Sequence, residues 1–208
     1  MPNLFQPTAL VGAIAIAMGF SATASAQDSV NASLDTLVVT ATRSEEKVKD
    51  VPARITVISK SEIEKNPALN LSDLIQRDPS VFVKQSGGIG QITEISIRGT
   101  RPNHTLILKD GARLNSQNHL AAIYPSFLDS SDLEQIEILK GPASVQYGTD
   151  AIGGVVQMIT STPTKNSGFI TGIYGENNTY KAIAGADLTQ DGFYAQIRGQ
   201  RLESDGTR

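Results

Sequence analysis

The sequence predicts an α+β domain, a small mixed sheet with short helices, followed by the first strands of a transmembrane antiparallel β-barrel. Three observations predict it. Between about residues 45 and 160, short alternating strands are interleaved with short helical segments. Within that span Leu133–Thr160, LEQIEILKGPASVQYGTDAIGGVVQMIT, reads as a strand, a sharp break, a compact loop bracketed by glycines, and a second buried strand. After Pro163 the pattern changes to three strands that are apolar on one face and polar on the other.

Composition limits what the chain can do. Its 208 residues are long enough to bury a core, with 39% hydrophobic, 5% aromatic and 19% charged residues. A net charge of -3 and a pI near 5.4 give no sign of a nucleic-acid partner. The absence of cysteine removes disulfides, thiolate metal sites and cysteine catalysis. With His104 and His119 as the only histidines, an imidazole-rich metal site is not expected, nor is any cofactor. No Gly-x-Ser-x-Gly, no His-x-x-x-His and no carboxylate pair with a supporting base is present, so no enzyme is expected.

Residues 1–26 read as an export signal. Ala9 to Phe20 is an uncharged apolar run, shorter than the ~20 residues of a transmembrane helix. Ala24-Ser25-Ala26 supplies the small-x-small pattern of a cleavage site, placing the mature start at Gln27, although no Lys or Arg precedes the apolar run. Residues 27–44 form a flexible N-terminus. Within it Asp35-Thr36-Leu37-Val38-Val39-Thr40-Ala41 is a short β-prone segment near a terminus, suited to adding a strand to another protein's sheet edge, or to serving as an ordinary first strand.

The domain proper spans 45–162. Ala53 to Ser59 alternates and reads as a strand; Ser61-Glu62-Ile63-Glu64 has capping-box spacing for a short helix. Asn70-Leu71-Ser72-Asp73 starts another helix, apolar at Leu71, Leu74 and Ile75 and ended by Pro79. Val81 to Val83 is a small strand, and Ser86 to Gln91 is a loop. The loop is no phosphate cradle, because Thr93 stands where a third glycine would follow Gly88 and Gly90, and no helix comes after it. Glu94 to Arg98 and Thr105 to Lys109 are strands, and Asp110-Gly111 is a two-residue hairpin turn leading to Ala112-Arg113-Leu114. Asn115 to Ser126 is polar and without period, hence a loop.

Residues 163–208 hold three strands, Gly168 to Tyr174, Tyr180 to Leu188 and Phe193 to Leu202. In the second, Tyr180, Ala182, Ala184, Ala186 and Leu188 share one face, with Lys181 and Asp187 on the other. Glu176-Asn177-Asn178 and Thr189 to Gly192 are of hairpin length, and Tyr180 and Phe193 sit at strand ends, where an interfacial aromatic girdle belongs. Three strands make an incomplete barrel.

The run from Gly141 to Val156, with its Gly-Pro, Tyr147-Gly148 and Gly153-Gly154-Val155, resembles the end of the plug domain of TonB-dependent outer-membrane transporters. Residues 35–41 look like the TonB box of that family and sit where the box sits. The order ISIRGT, NHTLILKDGARLN, IEILKGPAS is similar to the plug throughout, and most similar to the cobalamin-transporter type. Lys109 departs from that type, which has a hydrophobic residue there, and the 115–126 loop differs as well. The resemblance implies a plug filling a barrel of about 22 strands. It also implies energised import of a bulky, scarce nutrient, cobalamin or a ferric siderophore, with a TonB-type energy-coupling protein and outer-membrane lipid as partners. It places ligand contacts on plug loops at Gly88, Gly90, Gln91, Asn115, Gln117, Asn118, His119 and Tyr124, and gives Arg98 and Arg113 structural roles. A soluble periplasmic binding module and a surface adhesin without transport are the readings from other classes.

Overall fold

The structure is a computed structural model that describes residues 37–38, 44, 46–66, 68, 70–88, 91–115 and 130–206. The export-signal reading lies outside the described residues, all of which fall in one compact unit, Leu34–Arg208. Among them no helix is long and apolar enough to cross a membrane.

In chain order come β1 (Leu37–Val38), β2 (Glu46–Lys47), β3 (Arg54–Ser59), helices α1 (Lys60–Lys65) and α2 (Leu71–Ile75), then β4 (Val81–Gln85) and β5 (Thr93–Ile97). They are followed by β6 (Thr105–Lys109), β7 (Ala112–Arg113), β8 (Leu133–Lys140), α3 (Ser144–Tyr147) and β9 (Gly154–Thr160), and by the long strands β10 (Ser167–Tyr174), β11 (Tyr180–Gln190) and β12 (Phe193–Glu203).

The central sheet has the order β3-β8-β9-β6-β7 and is mixed, because β6 and β9 run parallel while the other pairs are antiparallel. Two cores cover its two faces. On one, Ile107, Ile136, Ile138, Val156 and Met158 pack against Leu71, Leu74 and Ile75 of α2, Ile63 of α1, and the β4–β5 hairpin. On the other, Leu106, Leu108, Leu139 and Val155 meet Ala143, Ala151 and Tyr147 of the loop between β8 and β9. Burial on both faces explains why β9 reads as a continuous apolar run.

Local chemistry sets the boundaries. Helix α1 starts two residues earlier than its Ser61 spacing predicted. Strand β3 runs directly into it, so Ser59 is the N-cap and Glu62 closes the box, accepting from the Ser59 N–H at 2.8 Å. Helix α2 begins as expected, with Asn70 Oδ1 accepting from Asp73 N–H at 3.2 Å. The two Asp-Gly turns, at 110–111 and 191–192, both take positive φ at both residues, the conformation that a tight hairpin matching strand twist requires.

Glycines 153 and 154 explain the glycine pair in the Leu133–Thr160 stretch. A Cβ on Gly154 would overlap the Leu139 carbonyl oxygen, and one on Gly153 would overlap the Thr100 hydroxyl. The Gly153 N–H donates to His104 C=O at 2.8 Å, so this bend is where β8, β9 and the segment leading into β6 come together.

Strands β10, β11 and β12 form a separate antiparallel meander. Its inward side carries Lys181, at 3% exposure, with Asp187 and Arg198. Its other side leaves Ile170, Leu188, Phe193 and Ile197 exposed.

Candidate functional site

Three surfaces bear on function, beginning with the N-terminal segment. Of residues 35–41 the structure describes Leu37 and Val38; Asp35, Thr36, Val39, Thr40 and Ala41 lie outside the described residues. Leu37 and Val38 form β1 and pair antiparallel with Lys47 and Glu46 of β2. Val38 is fully buried, while Leu37 is half exposed. A polar anchor that sequence reading missed holds the strand down. Gln135 Nε2 donates to the Leu37 carbonyl at 2.9 Å and to Glu137 Oε1 at 2.7 Å. Glu137 lies in β8 and is completely buried, so the segment is tied to the middle of the central sheet.

The second surface is the set of tips. Ser86 to Gln91 joins β4 to β5 and is closed by Ser86 N–H to Ile92 C=O at 3.0 Å and Gln91 N–H to Gly88 C=O at 3.1 Å. Gln85 Nε2 also donates to Gly88 C=O, at 2.9 Å, and the Gln91 side chain, although exposed, lies over Gly87. Ile92, exposed, adjoins this tip, while Phe82, also exposed, sits near the foot of the hairpin opposite Ser96; neither was singled out in the sequence. Asn115 points its amide back at β6 instead of outward. Gly90, Gln117, Asn118, His119 and Tyr124 lie outside the described residues.

The two arginines expected to be structural differ. Arg113 pairs with Asp150 and donates to Tyr147 C=O at 2.8 Å, pinning the β8–β9 loop to β7. Arg98 is exposed, sits at φ 54° directly before Gly99, and donates its backbone N–H to Ser80 C=O at 2.7 Å.

Electrostatically, the tightest point is Asp78, buried at the foot of the β4–β5 hairpin, with Lys140 Nζ at 2.6 Å. Burial pushes the Asp78 carboxyl up. The Lys140 ammonium, the Ser80 hydroxyl and N–H, and the Thr56 hydroxyl outweigh it and hold the group far below the usual carboxylate range. One carboxylate thereby joins β3, β8 and β4.

The third surface is the inward side of the meander. Asp187 accepts from Arg198 Nη1 at 2.8 Å, Ser167 Oγ at 2.8 Å and Gln196 Nε2 at 3.3 Å. The Arg198 guanidinium lies 5.3 Å from the Phe169 ring centre, and Gly185 leaves the space that ring occupies. Paired charges on one side and exposed apolar side chains on the other are the arrangement of a wall between a polar lumen and lipid. Among the described residues no group of His, Asp or Glu could hold a metal ion.

Residues 47–155, the span of the central sheet and its hairpin, match the family model described as the TonB-dependent receptor plug domain. The chain belongs to the TonB-dependent receptors. It is 39% identical over 147 residues to the vitamin B12 transporter BtuB of Vibrio vulnificus (strain CMCP6), covering 71% of this chain and 24% of that one. The pyoverdine outer membrane receptor FpvA of Pseudomonas aeruginosa superposes with a TM-score of 0.69 at 20% identity, over 85% of this chain and 26% of that one. The siderophore receptor PirA of Acinetobacter baumannii gives 0.54 at 30% identity, over 71% and 24%. The chain thus spans about a quarter of the length of the relatives it matches. β3 to β8 and the start of β9 lie inside the matched plug span, and β10 to β12 follow it in the chain.

Proposed function

We propose that this TonB-dependent receptor is the gate-bearing part of an outer-membrane importer that takes up cobalamin using energy from a TonB-type partner. The observation that carries the substrate is the 39% identity to a vitamin B12 transporter. A ferric siderophore is the second reading, supported by solved siderophore receptors of the same fold. Growth of the source cells with each nutrient limiting, before and after disruption of the intact gene, separates the two. A cobalamin requirement that rises on disruption supports the first, and an iron-limited defect with normal cobalamin use overturns it.

The outer membrane holds no nucleotide or ion gradient, so the work of opening has to arrive mechanically. Residues 35–41 are the handle, and their exported position follows from the signal read in residues 1–26. β1 is held by a two-residue pairing, one side-chain bond and the buried Val38 side chain, each hydrogen bond contributing about 0.5–1.5 kcal/mol net. A partner that adds its own strand can therefore exchange those bonds for new ones without disturbing the sheet behind them. The substrate contacts in this reading are Gly88, Gly90 and Gln91, with Gln117, Asn118, His119 and Tyr124 from the polar stretch that follows Asn115 in the sequence.

The test is Val38→Pro in the intact transporter. Proline removes a backbone donor and fixes φ, so it should block strand addition. Labelled cobalamin should still bind to cells but accumulate no more than in energy-poisoned wild type. Val38→Ala keeps the N–H and should lose far less. Normal accumulation in the proline variant, or lost binding, would show that residues 35–41 are not an energy-coupling strand.

A further inference from the structure

On the face of the central sheet opposite the β4–β5 hairpin, a cleft of about 510 Å³ opens beside the β6–β7 turn. That volume falls within the range of small-molecule sites. Leu106, Leu108 and Ile159 give it an apolar lining. Alternation adds one polar residue to them. Val155, Gln157 and Ile159 share one side of β9, and Val155 belongs to the core of this face.

Gln157 is 7% exposed, and its carboxamide has no hydrogen-bond partner among the described residues. Its cross-strand neighbour Glu137 accepts from the Gln135 amide instead, at 2.7 Å. Its neighbour on the other side, Leu108, has no polar group to offer. The Gln157 amide is not walled off in the core but borders the cleft. An amide left unpaired at this depth is a cost to the fold that a partner would remove.

The charged groups at the cleft are already engaged. Asp110 accepts from the Thr160 N–H and hydroxyl, each at 2.9 Å. Arg113 pairs with Asp150 and donates to Tyr147 C=O. A ligand is therefore offered apolar surface and one unspent polar group, whose oxygen accepts and whose nitrogen donates. Another carboxamide complements that group with two hydrogen bonds, and a charged group gains nothing over it.

We propose that this cleft is a binding site for a neutral, carboxamide-bearing small molecule, with Gln157 as the recognising group. It lies across the sheet from the β4–β5 tip, so it is additional to the contacts named on that tip. One step rests on the transport reading above: the occupant is then an amide side arm of the corrinoid, held at the plug after its first contacts.

Benzamide and benzoate, titrated into the purified intact transporter and followed by saturation-transfer NMR, test the site. Benzamide should bind in the millimolar range expected of so small a ligand, and benzoate at least about tenfold more weakly. Gln157→Leu should weaken benzamide at least about tenfold. It should unfold at the wild-type urea concentration or above, because an apolar side chain replaces an unpaired buried amide. Gln157→Glu keeps the size but has no donor, and should lose benzamide as well. In energised cells Gln157→Leu should take up labelled cyanocobalamin about fivefold more slowly at saturation, while binding to energy-poisoned cells stays within about twofold. Three results overturn the proposal: no benzamide binding in wild type, equal binding in wild type and Gln157→Leu, or a lowered urea midpoint in Gln157→Leu, which would mean that the amide holds the fold. Benzamide behaving as expected with uptake unchanged in the variant supports the site and removes the corrinoid as its occupant. If wild type neither binds nor accumulates cyanocobalamin, the transport reading fails by itself and benzamide still decides the cleft.

Discussion

The central sheet and the β10–β12 meander are built from sequences that alternate alike, yet they bury opposite things. In β8 the alternation of Ile136, Glu137 and Ile138 ends with all three buried, the carboxylate included. In β11 and β12 the apolar set is the exposed one. Ile197 is 67% and Phe193 84% exposed, while Lys181 is 3% exposed. Period-two patterning reports that a strand has two sides and leaves open what lies against each. In the plug both sides meet protein, so polar groups must be tied down by neighbours such as Gln135. In the meander the apolar side is left exposed, as a lipid-facing surface would be, while charges gather on the inward side around Asp187 and Arg198.

The largest expected effect lies in the plug. Asp78→Ala leaves the Lys140 ammonium buried without its partner and separates β3, β8 and β4, so it should cost about 3–5 kcal/mol of plug stability. Because the folded carboxyl is depressed below its ordinary value of 3.8, its contribution is full above that pH and drains away as pH falls through and below it. Urea unfolding of the purified transporter should show a steep acid limb in wild type and a flatter one in Asp78→Asn. Identical acid limbs would mean that Asp78 is not a fastening point.

The meander should fail by a different rule. Ile197→Arg puts a charge in mid-strand on the apolar side, at an expected cost of about 2–4 kcal/mol in phospholipid vesicles. Gln200→Arg, on the inward side of the same strand, should cost under about 1 kcal/mol. Equal costs for the two would place this sheet on a protein core, as a soluble binding module requires.

The same contrast explains what the sequence could disclose. Strand positions, the Asn70 cap and both Asp-Gly turns were legible because each depends on neighbours within a few residues. The division of β11 into an apolar and a polar face followed from alternation, although alternation alone did not say which of the two turns inward. The start of α1 was misplaced because two serines two residues apart both offer capping spacing, and only the end of β3 selects Ser59. Burial of Glu137 and Val38 could not be read, since the groups that cover them come from distant parts of the chain. Asn115 looked like a polar loop residue free to meet a ligand. Its partners, Thr105 and Ile107, lie across a hairpin, and nothing local announces that its amide completes a strand.

The smallest predicted effects come from glycines and separate the two sheets most cleanly. Gly154→Ala drives a methyl group into the Leu139 carbonyl oxygen and against Ile97, where β8 and β9 converge and no flexible side chain can absorb it alone. Overpacking of that kind costs about 1–3 kcal/mol, occasionally more. Gly199→Ala in β12 meets nothing within 4 Å and adds a methyl to the exposed apolar side. Removing glycine also reduces the entropy lost on folding, so its effect should lie within about 0.5 kcal/mol of zero or be slightly stabilising. Amide exchange across β8 and β9, read alongside heat-modified mobility of the barrel in detergent gels, assigns each loss to its sheet. The plug variant should exchange faster with barrel mobility unchanged, and the barrel variant should match wild type in both. A Gly154→Ala protein whose β8 and β9 amides stay as protected as before would mean that the close approach at the glycine pair is not what joins these strands.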